Sequence, residues 1–237
     1  MPTLTASRTN SNDASSRQQE RSPHPQSRDH ILIAAAECFK ENGFAATSID
    51  DVAHHLGATK GMIYHHYRSK TDLFFAVYRR GMEINFAATE PEAKKGGDPV
   101  EILARMAMAH CIALMAHQPF QRVLAQGVAM HQSGSTTAAQ RETLSELIKI
   151  RDTYEALFRH AIERAADHAG VALNNTSVSS KSFLAVLNST VFWYTPRKED
   201  PLGEQITLAR ELVIFALQGL GMHLPAKTID DWENRYE

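Results

Sequence analysis

Residues 31–74 read ILIAAAECFKENGFAATSIDDVAHHLGATKGMIYHHYRSKTDLF. At the start of this segment Ile31, Ala35 and Phe39 recur at four-residue intervals, which is typical of the apolar face of an α-helix. Gly43 predicts the end of that helix, because glycine tolerates the left-handed conformation that often follows a helix. The segment therefore predicts a helical protein whose first helix ends close to Gly43.

The same segment predicts two further short helices and the start of a fourth. Thr47 fits the N-cap of the second helix, with Asp50 in the capping-box position three residues later. Gly57 permits a tight turn after that helix, and Thr59 fits the N-cap of the third. Ser69 fits the N-cap of the fourth. Two short helices joined by a tight turn and braced by another helix form a helix-turn-helix motif.

The third helix of such a motif enters the major groove of DNA with its N-terminal end. Lys60 could donate a hydrogen bond there to guanine O6 or N7, and Met62 could contact a thymine methyl group. Tyr64 and His65 suit phosphate contacts, which set the register of a protein on the duplex. The predicted DNA-contacting residues are Thr47, Thr59, Lys60, Gly61, Met62, Tyr64, His65, His66 and Lys70.

The overall charge excludes a protein that coats nucleic acid without sequence preference. The formal net charge is −2, and the isoelectric point is near 6.6. Proteins that bind nucleic acid through charge alone carry a large positive field. Basic groups that contact DNA are therefore expected to be concentrated on one local surface.

The rest of the chain shows helical periodicity without alternating strand residues, so the sequence predicts an all-α fold. The segment EPEAKKGGDP, residues 90–99, is rich in Gly, Pro and charged residues and predicts a loop. The predicted helices beyond it are Val100–His117, Phe120–Gln132, Ala139–Ala169, Ser177–Tyr194 and Gly203–Gly221. The predicted regions are a disordered tail (1–27), a helix-turn-helix DNA-binding domain (28–74), a helical ligand-binding and dimerisation domain (75–224) and a C-terminal tail (225–237).

The predicted C-terminal domain is rich in bulky apolar side chains, among them soft Met side chains that suit an adaptable pocket. The candidate ligand-binding residues are Met106, Met115, Phe120, Tyr154, Phe158, Phe183, Leu187 and Trp193. No catalytic serine elbow, Gly-rich phosphate loop or H-E-x-x-H zinc motif is found, so neither an enzyme nor a cofactor is predicted. Adjacent histidines point about 100° apart on a helix, so His54-His55 and His65-His66 do not predict a metal site.

The sequence favours a cytoplasmic protein without a membrane segment. No apolar run approaches the roughly 20 residues needed to span a bilayer. The first 28 residues contain no apolar signal-peptide core. Cys38 and Cys111 fall within apolar helical patterns and are interpreted as buried thiols of a reducing compartment.

Residues 31–74 resemble the TetR family of bacterial transcriptional regulators. The resemblance is carried by Gly43-Phe44, Thr47-Ser48-Ile49, Asp51-Val52-Ala53, Gly57, the run from Gly61 to Tyr67, and Ser69-Lys70. It implies that Lys60, Gly61 and Tyr64 reach bases. It also implies phosphate contacts from Thr47, Met62, His65, His66 and Lys70. The chain departs from the family at Met62, where Thr or Ser is common, because a thioether cannot donate a hydrogen bond to phosphate.

The resemblance also implies a homodimer, paired through the last two long helices, that binds a palindromic operator and leaves it when a small apolar or amphipathic effector binds. The segment from Val191 to Pro196 is similar to a subgroup of repressors of lipid, sterol and aromatic-acid breakdown that respond to CoA thioesters. In such a complex the polar part of the ligand would lie near Arg105, Arg122 or Arg151. Two alternatives stay open: a helical small-molecule-binding protein or enzyme on the same scaffold, and a DNA-binding activator.

Overall fold

The computed structural model describes residues 25–133, 137–196, 201–225 and 228, and these contain α-helices but no strands. The predicted all-α fold is therefore confirmed. The helices are α1 Pro25–Ala46, α2 Ile49–Leu56, α3 Lys60–His66, α4 Lys70–Lys94, α5 Pro99–Ala116, α6 Gln118–Ser133, α7 Ala138–Ala169, α8 Thr176–Asn188, α9 Thr190–Trp193 and α10 Pro201–Gly219.

The two predicted tails lie almost wholly outside the described residues. Residues 25–27 are an exception, because they form the first turn of α1 and not part of a disordered tail. The other end of α1 is interrupted at Gly43, whose φ of 75° and ψ of 166° are non-helical, as the sequence predicts. A short helical turn after Gly43 leads the chain into α2.

The N-cap of α2 is Ser48 and not Thr47. The Ser48 hydroxyl accepts a hydrogen bond from the backbone N–H of Asp51, whose carboxylate accepts from the Ser48 backbone N–H at 2.7 Å. These bonds form a capping box one residue later than predicted. The Ser48 hydroxyl also donates to the Asp51 carboxylate at 2.7 Å, and this bond, followed by that from the Ser48 backbone N–H, lowers the pKa of the Asp51 carboxyl. The Thr47 hydroxyl instead donates to the backbone carbonyls of Gly43, at 2.7 Å, and Cys38, at 3.1 Å. Thr47 is thereby fixed to the end of α1.

Helix α4 connects the helix-turn-helix unit to the rest of the protein. It is continuous from Lys70 to Lys94, so the predicted domain boundary at residue 74 falls inside a helix. Its last turn also replaces the first half of the loop predicted for residues 90–99. Pro91 lies near the C-terminal end of α4, where it removes one backbone donor, and ion pairs such as Lys94–Glu90 at 3.0 Å support the final turn.

Helix α5 is the central helix of the C-terminal domain and packs against α4, α7, α8 and α10. It is long and apolar enough to cross a membrane by length and composition, but most of its residues are buried inside the protein. This burial identifies α5 as a core helix.

Helices α8 and α9 replace the single helix predicted for Ser177–Tyr194. At the junction the backbone N–H of Ser189 bonds to the carbonyl of Val186 and that of Phe192 to Ser189, three residues back in each case. The Thr190 hydroxyl donates to the Leu187 carbonyl at 3.2 Å and so satisfies a second group at the break. The interruption places Val191 and Phe192 beside the cavity described below.

Candidate DNA-binding surface and effector cavity

The turn between α2 and α3 is closed by backbone hydrogen bonds. Gly57 has left-handed geometry (φ 67°, ψ 30°), and its N–H bonds to the carbonyls of Ala53 and His54. The N–H of Ala58 also bonds to the Ala53 carbonyl, at 2.9 Å. A side chain with a β-carbon is strained at this φ, so the tight turn requires glycine. Because Ile63 is buried on the inner side of α3, the opposite side of that helix faces outward.

The outer side of α3 presents five of the predicted residues to solvent: Thr59, Lys60, Gly61, Tyr64 and His65. Half of the Tyr64 surface is exposed. The Lys60 ammonium lies 3.4 Å from an Asp50 carboxylate oxygen of α2, with both side chains mostly exposed. Thr59 occupies the N-cap of α3 as predicted, but its hydroxyl makes no capping bond. We name these five residues the α3 face.

The other four predicted DNA contacts are placed differently. Thr47 is buried, which corrects its prediction as a phosphate contact through the side chain. Met62 is half-buried against the hydrophobic core, so it does not stand free toward a thymine methyl group. His66 is half-buried beside Tyr67. Lys70 donates to the carbonyls of Phe44 at 2.7 Å and Ala45 at 3.2 Å, so its charge stabilises the C-terminal end of α1.

The helix-turn-helix unit lacks the expected surplus of fixed positive charge. Between residues 28 and 70 the five Lys and Arg are balanced by five Asp and Glu. The same segment contains five histidines: His30, His54, His55, His65 and His66. Burial, followed by the charges of His65 and Arg28, lowers the pKa of His66. The fixed charges of this segment therefore sum to zero.

The C-terminal domain contains a cavity of about 390 Å³ between α4, α5, α6, α7, α8 and α9. Its wall is mainly apolar, with Met82, Leu124, Val128, Leu184 and Val191. Cationic and anionic side chains lie at its rim, where Lys181 pairs with Glu155 at 2.7 Å and Arg151 with Asp152 at 3.1 Å. An apolar chamber with a polar rim suits an amphipathic ligand.

A chain of buried hydrogen bonds crosses one wall of this cavity. His110 Nε2 lies 3.1 Å from Asn188 Oδ1, which can only accept, so Nε2 carries the proton. Nδ1 then accepts from the Tyr154 hydroxyl at 2.8 Å, and Tyr154 accepts from Thr89 at 2.7 Å. Complete burial lowers the pKa of His110 to about 4 and raises that of Tyr154, so both are neutral at pH 7.

A further polar pair and the hydroxyl of Tyr78 complete the polar lining of this cavity. Asn85 and Gln121 exchange reciprocal amide hydrogen bonds at 3.1 and 2.9 Å. The Tyr78 hydroxyl is fully buried and has no hydrogen-bond partner among the described residues. Its ring packs against Gly127 of α6, where an added Cβ would lie 2.6 Å from two ring carbons.

The predicted ligand-binding residues are distributed over the cavities, the core and the surface. Tyr154 lines the cavity, and Met106 lines a separate cavity of about 550 Å³ between α4, α5 and α7. Phe120 lines a third cavity, of about 540 Å³, together with residues of α1, α4 and α5. The other four, Met115, Phe158, Phe183 and Leu187, are buried and line none of these three cavities. Trp193 is half-exposed and also lines none of them.

Sequence reasoning missed the polar lining, namely Asn85, His110, Gln121 and Asn188. The available signal was a polar residue within an otherwise apolar helical stripe, as at His110 in α5. Of the three arginines expected near the ligand, only Arg151 lines this cavity. Arg105 pairs with Glu92 at 3.6 Å instead, and Arg122 donates to the Phe192 carbonyl at 3.1 Å. Within the described ranges, no three His, Cys, Asp or Glu residues cluster so as to hold a metal ion.

Comparisons with known proteins agree with both halves of this architecture. Residues 31–77 match the family model described as bacterial regulatory proteins, tetR family, and residues 96–199 match a tetracyclin repressor-like C-terminal domain. The chain is 26% identical to the HTH-type transcriptional regulator AcrR of Shigella flexneri over 81% of its length and 88% of that protein.

Two further proteins are similar in part or in fold. The HTH-type transcriptional repressor KstR2 of Mycobacterium tuberculosis is 31% identical over 90 residues, or 38% of this chain and 45% of that protein. Its structure, that of a ketosteroid transcriptional regulator, has a TM-score of 0.67 at 21% identity and covers 81% of this chain and 93% of that one. AibR in complex with isovaleryl coenzyme A and operator DNA has a TM-score of 0.61 at 22% identity, with coverages of 80% and 97%.

The two domain matches lie on the two structural units, with the first covering α2 and α3 and the second covering most of the helices around the cavity. The named relatives are transcriptional regulators. The chain therefore belongs to the TetR family of bacterial transcriptional regulators.

Proposed function

We propose that this regulator is a repressor that binds a palindromic operator as a homodimer and leaves it when a small effector occupies the 390 Å³ cavity. The observation that carries the proposal is the joint presence of an exposed recognition helix and a lined cavity, connected through α4 and α6. We assign no catalytic activity to the chain.

The α3 face is the proposed sequence-reading surface. Lys60, Gly61 and Tyr64 are assigned to base contacts, because they lie exposed on α3, with Lys60 and Gly61 at its N-terminal end. Thr59, His65, His66 and Lys70 are assigned to phosphate contacts. We now assign Thr47 to positioning α2 on α1. Met62 is assigned to packing α3, with its contact to DNA limited to the exposed part of the side chain.

The homodimer is supported by apolar surface on α8 and α10. Val178 on α8 and Leu202 and Phe215 on α10 are exposed, with Phe215 64% accessible. Exposed aromatic and branched side chains on neighbouring helices are typical of a contact surface. A twofold dimer that pairs α8 and α10 with their symmetry mates would bury these residues and present two α3 faces to the two halves of a palindrome.

The effector is proposed to be apolar or amphipathic, with its apolar part inside the cavity. AibR, which shares the fold, is known in complex with isovaleryl coenzyme A and operator DNA, so a CoA thioester is one candidate. In that case the acyl group would occupy the chamber and the larger polar part would remain outside, near Arg151 and Lys181.

Helices α4 and α6 are the proposed route of coupling. Both line the cavity, and α4 continues into the helix-turn-helix unit. On α6, the Gln126 amide donates to the Phe39 carbonyl at 2.8 Å and accepts from the Phe44 N–H at 3.1 Å, on either side of Gly43. An effector shifts the equilibrium only by its differential affinity for two arrangements of these helices.

The test is fluorescence anisotropy on DNA taken from upstream of the gene, over a salt series and against competitor DNA. Wild-type protein is expected to bind tightly and to weaken with salt, as phosphate contacts require. Tyr64→Ala should bind at least roughly tenfold more weakly with an unchanged melting temperature, because the exposed ring contributes little to the fold. A sequence-indifferent result, both here and in a selection from genomic DNA, would refute operator binding and favour a non-regulatory binding protein. A transcription assay on the bound promoter distinguishes repression from activation.

A further inference from the structure

Building on the proposed effector site, we infer that the cavity takes a ligand whose enclosed end is uncharged and carries a carbonyl oxygen, such as an ester, thioester, ketone or lactone. A carboxylate group of the ligand would be excluded from the interior of the cavity and would remain at its rim. This chemical class applies to the buried end of the ligand, whereas the structure of its apolar part is not specified.

The unpaired Tyr78 hydroxyl is the first observation behind this class. Tyr78 lines the cavity and is 1% exposed, yet its hydroxyl bonds to no described residue. A buried hydroxyl without a partner is costly, so such groups normally have one. The close approach of Gly127 restricts where the ring can go. A ligand oxygen that accepts from Tyr78 would supply the missing hydrogen bond.

The neutrality of the remaining lining is the second observation. Asn85 and Gln121 satisfy each other, and His110 is held neutral between Tyr154 and Asn188. No interior group among the described lining residues therefore carries a positive charge that could stabilise a buried carboxylate. An ion moved into such surroundings loses its hydration without compensation.

The positions of the cations are the third observation. Arg151 and Lys181 line the cavity only at its rim, with 41% and 60% of their side chains exposed. Each is already paired with an acid, Asp152 or Glu155. An anionic group can therefore remain in solvent beside the rim, whereas a neutral carbonyl can accept from the buried Tyr78 hydroxyl, on which the charges of Arg151 and Asp152 act in opposite directions.

The experiment compares neutral and ionised probes that share one apolar body. Full-length protein without DNA is titrated at pH 7.5 by calorimetry with octanoate, methyl octanoate and S-octanoyl-N-acetylcysteamine, and in parallel with phenylacetate and methyl phenylacetate. At least one of the two series, octanoyl or phenylacetyl, is expected to bind. Within that series the ester or thioester should bind about tenfold more tightly than the carboxylate.

Tyr78→Phe tests the hydrogen bond directly. It should weaken ester and thioester binding by about tenfold, since one hydrogen bond is lost. Binding of butylbenzene, which has no oxygen, should be unchanged or tighter. Without ligand the variant should melt at the same or a higher temperature, because it removes an unpaired buried hydroxyl. Tyr194→Phe, which also removes a buried hydroxyl without a partner but lies outside the lining of this cavity, is the matched control and should leave every probe unaffected.

The inference is overturned by equal or tighter binding of the carboxylates, by unchanged ester binding in Tyr78→Phe, or by failure of every neutral carbonyl probe to bind. Operator anisotropy with the same probes tests the proposed function separately. Ester binding that does not release the operator would support the inferred class and contradict the effector role. Release by carboxylates alone would support the effector role and overturn the class.

Discussion

The α3 face and the effector cavity differ in how their residues are brought together. The face is formed by one seven-residue helix and its N-cap, so its members are neighbours in sequence. The cavity is lined by residues from Tyr78 to Phe192, contributed by six helices. Local spacing can therefore identify the first surface, whereas the second depends on how distant helices pack. The same difference predicts that truncations in the core around the cavity affect the fold, whereas changes on the face affect only binding.

The largest expected effect is in the core that supports the cavity. Phe158 and Phe183 are almost completely buried and pack with ring centroids 6.2 Å apart. Phe183→Ala should lower the free energy of unfolding by about 3–5 kcal/mol, because it leaves a void in a packed interior. Urea unfolding of this variant beside Trp193→Ala, at a half-exposed position, measures the difference. Equal small losses in both would place Phe183 outside the core.

A pH series tests the buried histidine of the cavity. The pKa of His110 is about 4 in the folded chain and near 6.5 when unfolded, so between these values the unfolded state binds more protons. Above about pH 7 His110 is neutral in both states, so it no longer makes the free energy of unfolding depend on pH. As the pH falls from 6.5 to 4, the free energy of unfolding should decrease by about 3 kcal/mol. His110→Gln should flatten this part of the pH profile, whatever its own stability at pH 7, and an unaltered slope would contradict a neutral buried imidazole.

On the α3 face, Lys60→Ala should act on DNA binding alone. It is expected to cost about 1–3 kcal/mol in operator affinity if Lys60 contacts a base, and to relax sequence preference at that position. Its loss from the exposed pair with Asp50 should change the melting temperature little. Lys40→Ala, which removes a lysine paired with Glu37 on α1, is the matched control. An equal loss of operator affinity in the control would indicate a general charge effect and not a specific contact.

The smallest expected effect concerns the connection between the two regions. Gln126→Leu removes both hydrogen bonds from α6 to α1, and Gln126→Glu retains an acceptor for the Phe44 N–H while removing the donor to Phe39. The factor by which an effector weakens operator binding should change by about 0.5–2 kcal/mol in the Leu variant and by less in the Glu variant. Anisotropy with and without effector measures this factor. An unchanged factor in both variants would assign the coupling to α4 alone.

Prediction from sequence succeeds where the physical cause is local. Gly43 and Gly57 indicate the ends of α1 and α2 because positive φ favours glycine wherever it occurs, and both have left-handed φ values. The predicted N-cap of α2, Thr47, lies one residue too early, because Thr47 and Ser48 are adjacent and the hydroxyl of either can cap a helix. The choice falls to Ser48 because the Thr47 hydroxyl bonds to the end of α1. The loop predicted from Pro91 and its neighbours begins too early, because packing and ion pairs extend α4 beyond Pro91 to Lys94.

The sequence by itself determined the all-α fold, the helix-turn-helix and most of the α3 face, since helical period, caps and turn residues act over a few positions. The tertiary structure alone decided which apolar residues form the core and which line a cavity. Phe158 and Tyr154 lie four residues apart in α7, yet one is enclosed by other aromatic rings and the other borders open space. That distinction depends on how six helices fill volume together, and no spacing within a single helix contains it.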